Sequence, residues 1–266
     1  MKKTAVLLAI LLALVLAFAS LASAGSTIDK IKKNKELVVG TSASYPPLTF
    51  KAKDGKVYGL DMDLAEAIAS AMDVKLRTEV LPFDQLIPAL EKGKIDLIIS
   101  CMTVTPQRNL RVAYVGPYFI SGQSILTTKD AAGKITSVDD INKADFTIAV
   151  PQGTTTVQIA KKLSPKASFV MTKSTNEALD LLLKNKVKAM MADYPYVATV
   201  AMQNKDKGLV ANSPFTVEPL GIAVRQGDPL FVNFLDNFLN MLRGDGFIKA
   251  RTLRWFSDDS WISDLP

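Results

Sequence analysis

The chain has 266 residues, 48% of them hydrophobic, with 32 Lys and Arg against 26 Asp and Glu for a formal charge of +6. It has no histidine and one cysteine, Cys101. Ser-His-Asp triads, Cys-His dyads, His-ligated zinc and intramolecular disulfides are therefore excluded. No Walker loop, dinucleotide fingerprint or calcium loop occurs, so no cofactor and no metal are expected. The charges are scattered apart from Lys30, Lys32, Lys33 and Lys35, which read as a solvated face rather than a nucleic-acid stripe.

Along the chain, Lys2 and Lys3 precede an unbroken apolar run over residues 5–18, and Ala22-Ser23-Ala24 has the form of a cleavage site. Residues 1–24 read as a signal peptide, because the run is short of the ~20 residues that span a bilayer. No cysteine follows the cleavage point, so a lipoprotein is not expected. Residues 37–40 form a short strand, and Asp61 is placed to cap a helix whose Leu64, Ile68 and Met72 share a face. Residues 74–80 read as strand, 84–92 as helix and 95–100 as a buried strand.

That strand opens into Ser100-Cys101-Met102-Thr103-Val104-Thr105-Pro106-Gln107-Arg108. Pro106 suits a first helical turn, so Arg108 lies where free N–H groups and the helix dipole favour an anion. Cys101 among small residues reads as a packing residue. The pattern restarts with strand at 146–150, helix at 154–163 and strand at 167–171. Ser174 and Glu177 form a capping box for a helix ending near Lys184, and 187–192 is a strand. Strand and helix alternate throughout, which predicts an α/β fold with mainly parallel sheets flanked by helices.

Residues 89–100 and 181–192 echo each other: a helix ends in a Lys-x-Lys turn and feeds a buried strand. Shared architecture and chance likeness explain the echo equally. Extended segments at 117–128 and 215–224 and an amphipathic helix bearing Phe231, Phe234, Leu235, Phe238 and Leu242 complete the chain. If that helix returns to the first half, the chain crosses twice between two lobes, residues 25–121 with 221–266 and residues 122–220. Ligand sites favour such clefts.

Arg108 and Thr103 from one lobe would face Gln152-Gly153-Thr154-Thr155 and Asp193 from the other. Gly153 permits close backbone approach, Thr154 is a candidate cap, and Asp193 ends a buried strand. One cation, one anion and two sets of amides match an α-amino acid zwitterion. On local pattern alone Arg108 is equally a surface residue, Asp193 a helix cap, Tyr45 a turn-packing residue and Phe83 a core residue.

The chain resembles the amino-acid-binding periplasmic solute-binding proteins of ABC importers, the bacterial extracellular solute-binding family 3. The resemblance rests on Val39-Gly40-Thr41, Tyr45-Pro46-Pro47, Gly59-Leu60-Asp61-Met62-Asp63-Leu64-Ala65 and Leu86-Ile87-Pro88-Ala89-Leu90. It extends through residues 103–108, Pro117-Tyr118-Phe119, Gln152-Gly153-Thr154-Thr155 and Gly221-Ile222-Ala223-Val224. It implies a two-lobed periplasmic-binding-protein fold with two hinge crossings, a periplasmic monomer, an amino acid as ligand and a membrane ABC permease as transient partner. Arg108 would grip the α-carboxylate with Thr103 and the Thr155 amide, and Asp193 would take the ammonium. Tyr45 and Phe83 would wall the side-chain pocket, with Ser42, Ser100, Met102, Gly153 and Thr154 completing the site.

Ser42 stands where several basic-amino-acid binders of that family carry an acidic residue, which points to an uncharged ligand. The rival expectation is a cyclohexadienyl dehydratase-like lyase on the same fold. Its general acid would be Glu218, for which a hinge salt bridge is the simpler role.

Overall fold

The computed structural model describes residues 27–265, and the expected signal peptide lies outside the described residues. Two five-stranded sheets organise the chain. The first contains β1 (Glu36–Thr41), β5 (Lys75–Val80), β6 (Leu97–Ile98), β7 (Ala113–Ser121) and β13 (Glu218–Val224), in the order β5-β1-β6-β13-β7. A small antiparallel sheet of β2 (Ser44–Tyr45), β3 (Thr49–Lys51) and β4 (Val57–Tyr58) sits beside it. The second contains β8 (Gln123–Thr128), β9 (Thr147–Pro151), β10 (Ser168–Thr172), β11 (Ala189–Asp193) and β12 (Leu209–Ala211), in the order β10-β9-β11-β8-β12.

The two orders are the same figure drawn twice. In each sheet three strands run parallel, β5-β1-β6 and β10-β9-β11, and the fourth joins antiparallel. The Lys-x-Lys echo is part of this repeat. Gly93 (φ 70°) and Asn185 (φ 53°) both take the left-handed conformation after a helix. The next residue returns its N–H to the helix, Lys94 to Ala89 O at 3.0 Å and Lys186 to Leu181 O at 2.8 Å. Glycine and asparagine tolerate that φ best, and the bonds satisfy carbonyls that a helix end leaves open.

Each sheet is packed on both faces. Leu37, Val39, Leu97 and Ile222 meet the helix Leu60–Ala71 on one side of the first sheet, while Val38, Ile98 and Ala223 meet Leu86 and Leu90 on the other. In the second sheet Met190 and Ala192 face Leu182 and Tyr196, and Ala189 and Met191 face Ile148 and Ala160. The helix Pro229–Gly244 buries Phe231, Leu235, Leu239 and Leu242 against the first core, so the chain does return to its first half. Phe234 and Phe238 are only partly buried beside it.

Several local expectations are corrected. The helix near Asp61 is Leu60–Ala71, and its N-cap is Gly59 at φ 121°, where a Cβ would press into the Leu48 carbonyl. Asp61 instead turns inward. Its carboxylate accepts from the Tyr118 hydroxyl (2.8 Å) and the Cys101 backbone N–H (3.0 Å). Residues 95–100 contribute only Leu97–Ile98 to the sheet, because Cys101 takes φ 51° and leads the chain away. The expected helix at 84–92 is a 3-10 turn, Phe83–Gln85, followed by Leu86–Glu91. Ser174 caps its helix by accepting from Glu177 N–H (3.2 Å), but Glu177 accepts from Lys173 N–H, so the capping box is half formed. Glu218 makes no ion pair among the described residues, so the hinge salt bridge is not formed.

Burial pushes the Asp61 carboxyl from 3.8 up to about 7, against the opposing pull of its Tyr118 and Cys101 bonds. The native state thus holds this proton to higher pH than the unfolded chain. The stability gained from it is complete below pH 4 and is lost as pH rises through 7. Asp61→Asn, neutral at all pH, should therefore gain on the wild type as pH rises. Thermal and urea melts are expected to show the gap opening by on the order of 4 kcal/mol between pH 4 and pH 8.

Candidate functional site

The strand ends converge on one cleft. The C-terminal ends of β1, β6, β9, β10 and β11 feed Ser42, Ser100, Gln152, Lys173 and Asp193 into the wall of a cavity of about 500 Å³ between the sheets. Open α/β sheets bind ligands at this edge because side chains from separate loops meet there. Phe83, Asp84, Thr103, Arg108, Thr154 and Thr155 also line it.

Arg108 stands in the short helix Pro106–Asn109, whose N-cap Thr105 accepts from the Arg108 N–H at 3.2 Å. That cap aims the side chain back over its own loop. Nη1 donates to Thr103 O (2.9 Å), Nη2 donates to Gly153 O (3.1 Å), and the guanidinium lies 5.3 Å from the Phe83 ring centroid. Two of five N–H donors are thereby used. Burial lowers the guanidinium's pKa from its ordinary value, opposed by Tyr114 and by the carboxylates Asp193 and Glu218. Among the described residues Arg108 has carbonyl partners but no carboxylate within ion-pair distance.

Asp193 ends β11 and is 6% exposed. Ser121 Oγ donates to Oδ1 (2.8 Å), while Gln123 Nε2 (3.1 Å) and the Tyr45 hydroxyl (3.0 Å) donate to Oδ2. It precedes the helix Tyr194–Gln203 without capping it. Burial raises the carboxyl from 3.8 to about 6, Glu218 adds to the rise, and the three neutral donors oppose it. Asp193 has no cationic partner among the described residues.

The floor on the first-sheet side is a chain of hydroxyls. Ser100 Oγ accepts from Ser42 N–H (2.9 Å) and donates to Ser42 Oγ (3.2 Å), and Ser44 Oγ donates to Ser42 Oγ (3.3 Å). On the second-sheet side Thr155 opens the helix Thr155–Leu163, whose first N–H groups lack intrahelical acceptors. Thr154 turns its hydroxyl back to Pro151 O (2.7 Å) and makes no side-chain cap.

Two expected site residues lie elsewhere. Met102 is 1% exposed and packs with Val38, Leu86 and Ala223 behind the cavity wall. Gly153 is not in the wall of the main cavity; its carbonyl is held by Arg108 and its Cα faces Asp84. Glu218 is buried on β13 and is also absent from that wall.

Ser121, Gln123 and Thr156 escaped the sequence reading. Gln123 pairs with Asp193 across the antiparallel β8–β11 ladder, and its Oε1 accepts from Thr156 Oγ1 at 2.8 Å. Its amide thus ties Asp193 to the helix that carries Thr155. The extended segment at 117–128 was the available signal, but its register with β11 was not. Asp84, Lys173 and Thr175 also line the cavity, the first two at the exposed rim.

Comparison with known proteins agrees with this geometry. A family model for bacterial extracellular solute-binding proteins, family 3, matches residues 37–258. The ABC transporter glutamine-binding protein GlnH of Bacillus subtilis is 30% identical over 245 residues, covering 91% of this chain and 88% of that protein. Two crystal structures superpose over nearly their whole length. The ancestral amino acid-binding protein AncCDT-1, a precursor of cyclohexadienyl dehydratase, has 40% identity and a TM-score of 0.81, covering 87% of this chain and 100% of its own. A putative ABC-transporter binding component from Wolinella succinogenes, complexed with lysine, has 37% identity and a TM-score of 0.82, with 86% and 99% covered. With two sheets built to one plan around one cleft, the family-model match over residues 37–258 makes this chain a member of the bacterial extracellular solute-binding proteins, family 3.

Proposed function

We propose that the protein captures an α-amino acid between its lobes and delivers it to an ABC permease, as a receptor and not as a catalyst. The observation that carries this is a pair of opposite charges, Arg108 and Asp193, in the wall of one cavity, neither with an ion partner among the described residues. An isolated buried charge is unfavourable, so a zwitterion that satisfies both has a large intrinsic advantage. Its carboxylate takes the free Arg108 donors together with Thr103 and the Thr155 amide. Its ammonium takes Asp193. Each charge-assisted bond contributes about 1.5–3 kcal/mol, enough for several to reach micromolar affinity or better.

For the side chain we propose an uncharged polar group, with glutamine as the first candidate. Ser42, Ser44 and Ser100 each donate and accept, as an amide requires, and two glutamine-binding proteins are among the relatives. A cationic side chain is the second reading. Asp84 favours it, since this rim carboxylate is held only by a long bond from Gln152 Nε2 (3.4 Å), and lysine- and arginine-bound relatives exist. The moving units are residues 25–121 with 221–266 and residues 122–220. Closure is a population shift, stabilised by contacts that the ligand makes to both lobes.

Calorimetry on protein refolded free of ligand, against glutamine, arginine and lysine, separates the two side-chain readings. Binding of arginine alone, abolished by Asp84→Asn, would establish the second. Arg108→Ala is expected to weaken binding roughly 100-fold or more with the melt of the free protein unchanged, and unaltered affinity would overturn the site. Affinity should also fall about tenfold per pH unit below pH 6, as Asp193 takes up the proton that the ammonium must displace. Gly153 (φ 76°) faces Asp84 so closely that a Cβ would lie 2.9 Å from the Asp84 Cβ. Gly153→Ala should hold the lobes apart there and weaken binding about tenfold, measured by the same titration, with only a few degrees lost from the melt.

A further inference from the structure

Tyr45 is expected from its family position to be a wall of the side-chain pocket, but its hydroxyl is committed elsewhere. It lies on β2 of the first lobe, directly before Pro46, in an extended stretch. Its ring packs against both cores, reaching Tyr196 of the second lobe at 5.0 Å between centroids. The hydroxyl donates to Asp193 Oδ2 (3.0 Å) and accepts from the Asp193 backbone N–H (2.9 Å). Both capacities of the hydroxyl are thus spent on one residue of the opposite lobe.

A carboxylate offers about four acceptor positions. Gln123 and Tyr45 occupy those of Oδ2, and Ser121 occupies one on Oδ1. One position on Oδ1 is left. The Tyr45 bond to Oδ2, braced by the Asp193 backbone N–H that the same hydroxyl accepts, sets the carboxylate plane together with Ser121 and Gln123, and so where that last position points.

We propose that the Tyr45 hydroxyl is a positioning residue for the ammonium subsite, acting across the cleft through Asp193 to orient its one open acceptor and to keep the carboxylate ionised. This rests on the reading of Asp193 as the ammonium acceptor. The role belongs to the hydroxyl and is separate from any contact between the ring and a ligand side chain. It also makes formation of the subsite depend on the first lobe being in place, since Gln123, the donor from the second lobe, alone leaves Oδ2 half bonded and Oδ1 without Ser121.

The titrating and charged groups around Asp193 are few. Tyr45 faces it from β2, Glu218 from β13, Cys101 from the loop after β6 and Arg108 from across the cavity. Burial and Glu218 raise the Asp193 carboxyl, and the Tyr45 bond lowers it. Removing that bond therefore moves the carboxyl further up.

Tyr45→Phe keeps the ring and deletes only the hydroxyl. The expected result is about 10- to 100-fold weaker amino-acid binding at pH 7.5. The pH below which affinity falls should move up from about 6 by half a unit or more. A purely structural loss would weaken binding without moving that midpoint. Unchanged or tighter binding, or an unmoved midpoint, overturns the proposal. Should the variant not fold, replacing the tyrosines with 3-fluorotyrosine reads the same bond with the opposite sign. Its more acidic hydroxyl donates more strongly, and Tyr45 is the tyrosine bonded to Asp193 among the described residues, so the midpoint should fall. Asp193→Asn keeps the two failures apart. If it leaves binding intact, the ammonium reading itself is wrong; if it weakens binding while Tyr45→Phe does not, only the role of Tyr45 is wrong.

Discussion

A buried carboxylate held by neutral donors governs this molecule. Asp193 has a hydroxyl from β7, an amide from β8 and a phenol from β2 around it, and no cation among the described residues. Neutral donors stabilise an anion without cancelling its charge, so the carboxylate stays receptive to a positive group. Arg108 is the counterpart on the other lobe, held by carbonyl oxygens that orient its fork and leave its charge unmet. The two opposite charges line one cavity and are not paired with each other.

The doubled sheet plan makes that separation possible. Parallel strands in each half present their C-terminal ends at one edge, and both edges open on the same cleft. The crossings through β7 and β13 lie side by side, with Ser121 opposite Glu218 in their ladder. Packed cores of aliphatic and aromatic side chains stand behind each wall. The polar residues of the site therefore sit on well-packed scaffolds.

How much of this was readable in the sequence depended on how local the cause was. The Thr105–Pro106–Arg108 turn is set within four residues, so the direction of Arg108 followed from cap and proline alone. The Lys-x-Lys turns were visible for the same reason. Asp193 was marked by its place at the end of an apolar strand. The supporting donors were not marked, because Ser121 and Gln123 reach Asp193 through a strand register that no local pattern encodes. Asp61 shows the converse error: a carboxylate in a first helical turn reads as a cap, but burial beneath Cys101 and Tyr118 gives it another task. Met102 was misplaced by one residue of geometry, since the left-handed turn at Cys101 sends it into the core.

The Asp193 donors Ser121 and Gln123 flank Gly122, whose carbonyl accepts the Tyr194 N–H at 2.7 Å. On the proposed reading, the ammonium end of the site thus lies beside the junction of the two lobes, whereas Asp84 and Gln152 meet at the exposed rim. A small rotation barely displaces groups near the axis and sweeps those at the rim through a long arc. On the proposed reading, Ser121 and Gln123 keep their bonds to Asp193 on opening, while the bonds that span the cleft, Tyr45 to Asp193 and Arg108 to Gly153, are made only on closing. On the same reading, the choice between one amino acid and another falls to the far end, where Asp84 and Gln152 meet.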